Sequence, residues 1–358
     1  MTSIEGVSTP GLLAESRQAE AAAFGRGEKA YFALVAVFTA ISFGLDLGGV
    51  YPGFVTRWFT PGTYALALPL VSLAALLYWA LSALRIVHRR FRARREGRED
   101  QMPALSDVWR DPRPWRALAL ATSALLLLNV FGCWKAMIPQ INPFSWDPAF
   151  ATVDRVLHLG RDPWLWLHQV FGDPLLTRQL DVFYSLWFYF VPLMVLWMSW
   201  TSKHEVRQRF FLTFALCWIV LGTVAATVFS SAGPAYYARV TGDPGAFRDL
   251  MVYLDSAWRG HPFNARVGQE LLWAQYVYDG SIPWARISAM PSLHIAMVFL
   301  YAITASAANR VIGVFFWMYA LLVLIGSVHL GWHYAVDGYA AIAAVAGFWW
   351  LSGRIIRS

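Results

Sequence analysis

Stretches of mainly apolar residues, each long enough to cross a bilayer, recur along the chain. A transmembrane helix needs about 20 such residues, and windows of that length predict eight helices. They fall at residues 31–50, 64–87, 115–134, 182–200, 210–230, 291–307, 311–328 and 332–351. The pattern predicts an all-α, polytopic membrane bundle in which two accessory spans within residues 30–112 precede a six-span core at 113–358.

Basic residues cluster in the connections on one side of this predicted bundle. Positively charged connections favour the cytoplasm, and four clusters agree when the N-terminus is cytoplasmic: 85–98, 203–209, Arg310, and Arg354 with Arg357. The run at 85–98 is predicted to form a loop near anionic lipid head groups. The expected protein is therefore a multi-pass cell-membrane protein with both termini cytoplasmic and segments 135–180 and 232–286 outside.

These two outer segments carry patterns of their own. Apolar residues recur among polar ones across 151–171, which predicts one helix lying in the plane of the interface. Segment 232–286 is rich in Tyr and Trp. Loops of this length are usually functional, so we expect it to cap a groove through which lipids enter.

Composition supports a membrane protein and narrows its partners. Of 358 residues, 58% are hydrophobic and 14% charged, with a mean hydropathy of +0.44, which excludes an ordinary soluble protein. Much of the net charge of +7 lies at 85–98, so it does not indicate nucleic acid. Residues 1–29 lack an apolar core and are expected to form a cytoplasmic lead. Cys133 and Cys217 lie in apolar segments and predict no disulfide framework.

Ionisable side chains lie at the starts of two late apolar segments, both on the predicted outer face. Such groups are costly at membrane depth. His333 and Asp337 are four residues apart, so we expect them to share one helical face, with the carboxylate orienting the imidazole. This pattern predicts a nucleophilic histidine, with His294 as a separate proton donor. A lone His-x3-Asp pair is more often structural, but the second motif at the same face favours catalysis.

His329 adds a second interpretation of the same stretch. With His333 and Asp337 it forms His-x3-His-x3-Asp, a helical face that could bind a metal such as zinc. Gly331 can break the helix between these residues. His329 is then an interface or phosphate-facing group.

Two motifs resemble signatures of the type-2 phosphatidic acid phosphatase superfamily: Pro291-Ser292-Leu293-His294 and His333-Tyr334-Ala335-Val336-Asp337. The His-Tyr-x-x-Asp form is similar to the branch that contains inositol phosphorylceramide synthase and sphingomyelin synthase. Weaker similarity to this branch lies at Lys135, at Pro143-Phe144-Ser145-Trp146-Asp147 and at Ser231-Ala232-Gly233-Pro234. The resemblance covers residues from about 115 to the C-terminus and leaves out the first two spans.

The resemblance implies a two-step phosphoryl transfer without a metal or cofactor. His333 attacks phosphorus and becomes phosphohistidine, Asp337 holds its other nitrogen, and His294 protonates the leaving oxygen and later deprotonates the acceptor. General acid–base assistance of this kind contributes about 10²–10⁴-fold. The expected donor is a phospholipid or prenyl phosphate, and the acceptor is a lipid alcohol or water.

Phosphoryl chemistry also needs a fixed cation, and here the chain departs from the superfamily. Ser327 stands where an arginine usually precedes the nucleophile, and the Lys-x6-Arg-Pro motif is absent. Arg286 is the leading phosphate ligand, followed by Lys135 and Arg239, although each could simply snorkel at the interface. Further candidates for head-group binding, of which Ser292 and Asp181 also suit helix caps, are Ser292, His329, Tyr236, Tyr237, Asp181 and Tyr184.

The sequence therefore predicts a lipid phosphotransferase that acts at the extracytoplasmic face. The motif variant and the aromatic outer segment favour transfer, and hydrolysis of a lipid phosphate is the alternative. A transporter with a His/Asp proton relay would distribute ionisable residues through the bilayer and show symmetry between halves. Here these residues are concentrated at one face.

Overall fold

The computed structural model describes residues 24–53, 55, 61–95, 107–278, 282 and 285–357. Residues 1–23 of the predicted N-terminal lead lie outside them. The described residues form helices and no strands. In the first half of the chain the helices are α1 (Arg26–Leu47), α2 (Pro61–Arg95), α3 (Asp107–Arg110), α4 (Pro112–Ile141), α5 (Asp147–Leu157), α6 (Pro163–Phe171), α7 (Pro174–Ser185) and α8 (Trp187–Trp200).

The second half continues in the same way. Its elements are α9 (His204–Leu216), the π-helix Cys217–Ala225, α10 (Ala226–Val228), the 3₁₀ turn Pro234–Tyr236, α11 (Tyr237–Thr241), α12 (Arg248–Gly260), α13 (Asn264–Val277), α14 (Leu293–Ala308), α15 (Arg310–His329) and α16 (Ala335–Arg357).

Six helices of the described part are long and apolar enough to cross a membrane, with α7 and α8 forming one span and α9 to α10 another. The shorter apolar helix α14 corresponds to the predicted span at 291–307. The all-α, multi-pass architecture predicted from the sequence is thus confirmed. The predicted span at 64–87 lies within α2, which is not among these six.

Helix α14 lies at the centre of the bundle. Most of its 16 residues are buried, and it packs against α9, α15 and α16. Its start is fixed by Ser292, whose hydroxyl accepts a hydrogen bond from the amide of Ile295 at 3.3 Å. Because α14 is enclosed on several sides, the residues at its start are carried by a rigid part of the fold.

The structure corrects two predicted boundaries outside the transmembrane spans. The basic run at 85–98 was predicted as a loop, but α2 continues through Arg95, since arginine favours helices and cations stabilise a helix C-terminus. The single interfacial helix predicted at 151–171 is two helices, α5 and α6. The chain breaks at Leu159 and Gly160, which both have positive φ, and Pro163 opens α6.

The described part of segment 232–286, which was predicted as an outer loop, is also more ordered than a loop. It contains α11, α12 and α13. The carboxylate of Asp181, in the second half of α7, accepts from the amides of Asn264 and Ala265 at 2.8 Å each and so caps α13. The segment is therefore a small helical layer fixed to the bundle.

Helix α1 is joined to the core by a buried ion pair. Arg207 on α9 and Glu28 on α1 lie 2.5 Å apart and are 1% and 0% exposed. Arg207 also donates to the carbonyl of Thr201 at 2.8 Å. This pair lies at the opposite end of α9 from the cavity described below.

Candidate active site

The loop between α15 and α16 carries His333. Gly331 adopts φ +73, and the amides of Trp332 and His333 both donate to the carbonyl of Ser327, at 3.0 and 3.1 Å. The chain therefore folds back over the end of α15 before α16 begins at Ala335. The prediction that His333 and Asp337 lie on one helix, in a span beginning near residue 332, was wrong, because α16 begins only at Ala335 and His333 lies in the loop before it.

The pair itself forms as predicted. Nδ1 of His333 lies 3.2 Å from Oδ2 of Asp337, which also accepts from the amide of Tyr334 at 3.0 Å. His333 is 5% exposed and Asp337 is fully buried. A carboxylate at Nδ1 orients the ring and leaves Nε2 as the nitrogen that can attack.

His294 stands at the start of α14, next to this pair. Its ring centroid lies 5.9 Å from that of His333, 4.6 Å from that of Tyr184 and 4.3 Å from that of Trp187. Its Nε2 has no hydrogen-bond partner among the described residues. The two motifs are tied through the backbone, because the amide of Ser292 donates to the carbonyl of Asp337 at 3.2 Å.

Both histidines line a cavity of about 690 Å³. Most of its wall is apolar and comes from α4, α8, the π-helix and the helical layer within 232–286. On α4 the lining extends from Lys135 to Ala121. These residues are 14 positions apart, so the cavity follows α4 for about 21 Å.

Two of the three predicted cations line this cavity, namely Lys135 and Arg286. Nη1 of Arg286 donates to the carbonyl of Gln275 at 2.5 Å, which holds the guanidinium in the wall. Arg239 is not among the lining residues. Its guanidinium pairs with Glu270 at 2.7 Å, so the structure does not bring Arg239 to the histidines.

The predicted head-group residues divide in the same way. Asp181, Tyr184 and Tyr236 line the cavity, although the Asp181 carboxylate is occupied by the α13 cap. Ser292 and Tyr237 do not line it. The hydroxyl of Ser292 serves as the cap of α14, and Tyr237 packs against Phe247.

His329 faces away from the cavity. Its Nε2 lies 2.8 Å from the hydroxyl of Thr177, and its ring lies 4.5 Å from that of His168, whose pKa is lowered by burial. The turn at Gly331 separates His329 from His333 and Asp337, so the metal-binding face that a continuous helix would create does not form. Within the described ranges, no group of three His, Cys, Asp or Glu side chains could hold a metal ion.

Two carboxylates on α5 support the site: Asp147, which the sequence placed only in a stretch of weak resemblance, and Asp154, which sequence reasoning missed. Asp147 accepts hydrogen bonds from the amides of Ala232 and Gly233 and from the Tyr334 hydroxyl. Asp154 accepts from the first two amides of α16. Burial raises the pKa of both carboxyls. The backbone N–H donors lower it, because they favour the charged form, but burial has the larger effect. Their seven-residue spacing was a usable signal, because it places both on one face of a helix.

Comparison with known proteins agrees with this geometry. No curated protein and no solved structure matches the chain. A family model described as PAP2 superfamily matches residues 148–351. The match includes both histidine motifs and spans more than half of the chain, so the chain belongs to the PAP2 superfamily, the type-2 phosphatidic acid phosphatases and their relatives.

Proposed function

We propose that the chain transfers a phosphoryl-linked head group from a phospholipid to a lipid alcohol at the extracytoplasmic face of the cell membrane. The observation that carries this proposal is the cavity shared by His333 and His294. His333, which Asp337 orients, lines this cavity together with His294, Lys135 and Arg286, and the cavity continues as an apolar space along α4. Membership in the superfamily supports lipid phosphatase or phosphotransferase chemistry.

In the first half-reaction, Nε2 of His333 attacks phosphorus. A P–N bond forms, the P–O bond to the diacylglycerol oxygen breaks, and that oxygen leaves with the electron pair. His294 gives it a proton, so diacylglycerol departs neutral. The charge that develops on the His333 ring is balanced by Asp337, and covalent catalysis divides one difficult displacement into two easier ones.

In the second half-reaction, neutral His294 takes the proton from the acceptor hydroxyl. The acceptor oxygen attacks phosphorus, the P–N bond breaks, and His333 regains its lone pair. Lys135 and Arg286 stabilise the phosphoryl oxygens in both steps, since fixed cations act on the charge that develops there. Each histidine ends the cycle in its starting protonation state.

The depth of the cavity supports a long-chain donor. A bilayer has a hydrocarbon core of about 30 Å, or about 15 Å for each leaflet, and the cavity follows α4 for about 21 Å. One acyl chain fits along α4 and α8 below the histidines. The apolar wall favours a lipid alcohol over water as the second substrate, in keeping with the resemblance to the inositol phosphorylceramide synthase and sphingomyelin synthase branch.

Product analysis tests the proposal. The purified protein is incubated in vesicles with a panel of labelled phospholipids and prenyl phosphates, with and without lipid alcohols, and the lipids are separated by thin-layer chromatography. We expect a new labelled phospholipid that depends on the alcohol. Release of free phosphate or a free head group would instead identify a hydrolase, and the absence of any product would refute both functions.

Three variants and a chelator extend this experiment. His333→Ala and His294→Ala should abolish turnover, whereas His261→Ala, at the end of α12 and away from the cavity lining, should not. Turnover by His333→Ala at the normal rate would overturn the mechanism. Activity should persist in EDTA, and a loss that zinc restores would contradict metal independence.

A further inference from the structure

Helix α5 buries both of its acidic residues, whereas some of its apolar residues are exposed. Asp147 is 0% exposed and Asp154 is 3% exposed, whereas Val156 is 74% exposed. Buried carboxylates are costly unless hydrogen bonds compensate for lost water. Neither carboxylate lines the cavity, so their partners indicate what they do.

Asp154 holds the N-terminus of α16. Its Oδ2 accepts from the amide of Ala335 at 2.7 Å, and its Oδ1 accepts from the amide of Val336 at 2.8 Å. The first amides of a helix have no partners within the helix, and here a different helix supplies the cap. Ala335 lies two residues after His333, so this cap fixes the loop at residues 330–334, here called the nucleophile loop, to α5.

Asp147 holds a second loop and the nucleophile loop together. Its Oδ2 accepts from the amide of Ala232 at 2.9 Å, and its Oδ1 accepts from the amide of Gly233 at 2.8 Å. The hydroxyl of Tyr334 donates to the same Oδ1 at 2.8 Å. One carboxylate therefore joins residues 232–233 to the neighbour of His333.

The loop held by Asp147 also supports the His294 motif. The carbonyl of Ser231 accepts from the amide of Ala289 at 2.9 Å, and its hydroxyl accepts from the amide of Met290 at 3.2 Å. Gly233 packs so closely that a Cβ there would lie 2.6 Å from the carbonyl oxygen of Trp332. Side chains on α5 are thus connected, by short hydrogen-bonded paths, to both histidine motifs.

We infer that Asp147 and Asp154 are positioning residues that set the distance between His333 and His294 during phosphoryl transfer. The inference rests on the proposed function. A displacement of about 1 Å in an active site can cost about 10²-fold in rate. The effect should appear in the rate of the chemical step and leave the fraction of folded protein unchanged.

Asp154→Asn is the principal test. The asparagine side chain has only one acceptor oxygen, whereas the backbone amides of Ala335 and Val336 each bind a different oxygen of Asp154. Asp173→Asn is its matched control. Asp173 caps α7, and its Oδ1 alone accepts from both Leu175 and Leu176, so asparagine can keep both bonds. Single-turnover experiments with labelled phospholipid give the rate and final amount of phosphohistidine, and hydrogen exchange reports on the backbone at 331–337.

We expect Asp154→Asn to form phosphohistidine about 10- to 100-fold more slowly, to the same final amount, with faster exchange at 331–337. Asp173→Asn should behave as wild type. A normal rate, or a smaller final amount formed at the normal rate, would overturn the inference. If Asp154→Asn does not fold, Tyr334→Phe, which removes only one bond to Asp147, must show the slower rate or the inference fails.

The two proposals can fail separately. If wild type forms no phosphohistidine, the proposed function fails, while hydrogen exchange at 331–337 still tests whether Asp154 fixes the loop. Unchanged exchange in Asp154→Asn would overturn the positioning role whatever the reaction.

Discussion

Replacing Asp337 with asparagine removes one negative charge beside His333 and changes the side-chain size very little. Oδ2 of Asp337 accepts both from Nδ1 of His333, at 3.2 Å, and from the amide of Tyr334. Asparagine can therefore keep both bonds through its single oxygen, and the orientation of the ring survives. What is lost is the anion that balances the positive charge developing on the imidazole during attack.

The distance gives the size of the effect. Two unit charges 3.2 Å apart interact by about 5 kcal/mol at an effective dielectric constant of about 20. The transition state carries only part of that charge, so we expect the first half-reaction to slow by about 10²- to 10³-fold. Thermal stability should change little, because the backbone carbonyl of Asp337 still accepts from Ser292.

Single-turnover formation of phosphohistidine measures this directly, with Asp173→Asn as control and thermal unfolding as the check on folding. Asp337→Asn should retain measurable turnover that His333→Ala lacks. A rate within threefold of wild type in a folded Asp337→Asn protein would refute the electrostatic role. Complete inactivity, equal to that of His333→Ala, would show that the pair does more than balance charge.

Other parts of the site make separate predictions. Arg286→Ala should slow turnover by about 10²–10³-fold. Arg286→Lys should slow it by less, because lysine keeps the positive charge but cannot bind a phosphate through two parallel N–H donors. Normal turnover in Arg286→Ala, together with a loss in Lys135→Ala, would make Lys135 the main phosphate ligand. A cysteine placed within 232–286 should react with an impermeant maleimide on intact cells and one within 85–98 should not; the reverse pattern would place the site in the cytoplasm. Leu125→Trp should fill the deep part of the cavity and slow long-chain donors more than short-chain donors, and an equal loss for both would mean that the acyl chain lies elsewhere.

The sequence predicted the spans well and their boundaries less well. Apolar runs identify membrane helices because the bilayer imposes one length and one composition. The start of α16 could not be predicted in this way, since Asp154, 181 residues away from Ala335, determines it. The break between α5 and α6 could have been predicted, because Gly160 and Pro163 are a helix-end and a helix-start signal; only the positive φ of Leu159 has no signal in its residue type.

In the site, too, features set by neighbouring residues could be predicted, and features set by residues far away in the sequence could not. His294, His333 and Asp337 were predictable because two short motifs carry them. Arg239 and His329 were plausible ligands from sequence position, but their side chains meet Glu270 and Thr177 instead. Those partners are 31 and 152 residues distant, and no spacing rule connects residues so far apart in the chain.

The ion pair between Glu28 and Arg207 bears on where the catalytic unit begins. The family match starts at residue 148, more than 100 residues after Glu28. The match alone would suggest that residues from 148 onward can fold without α1. A chain that lacks α1 would leave Arg207, which is 1% exposed in the intact protein, without its carboxylate. Breaking such a pair costs about 3–5 kcal/mol, a large part of the roughly 5–15 kcal/mol that keeps a protein folded. The region that matches the family, residues 148–351, is thus shorter than the part of the chain that we expect to fold cooperatively. Fusions or truncations that keep only the matched region should fail to fold.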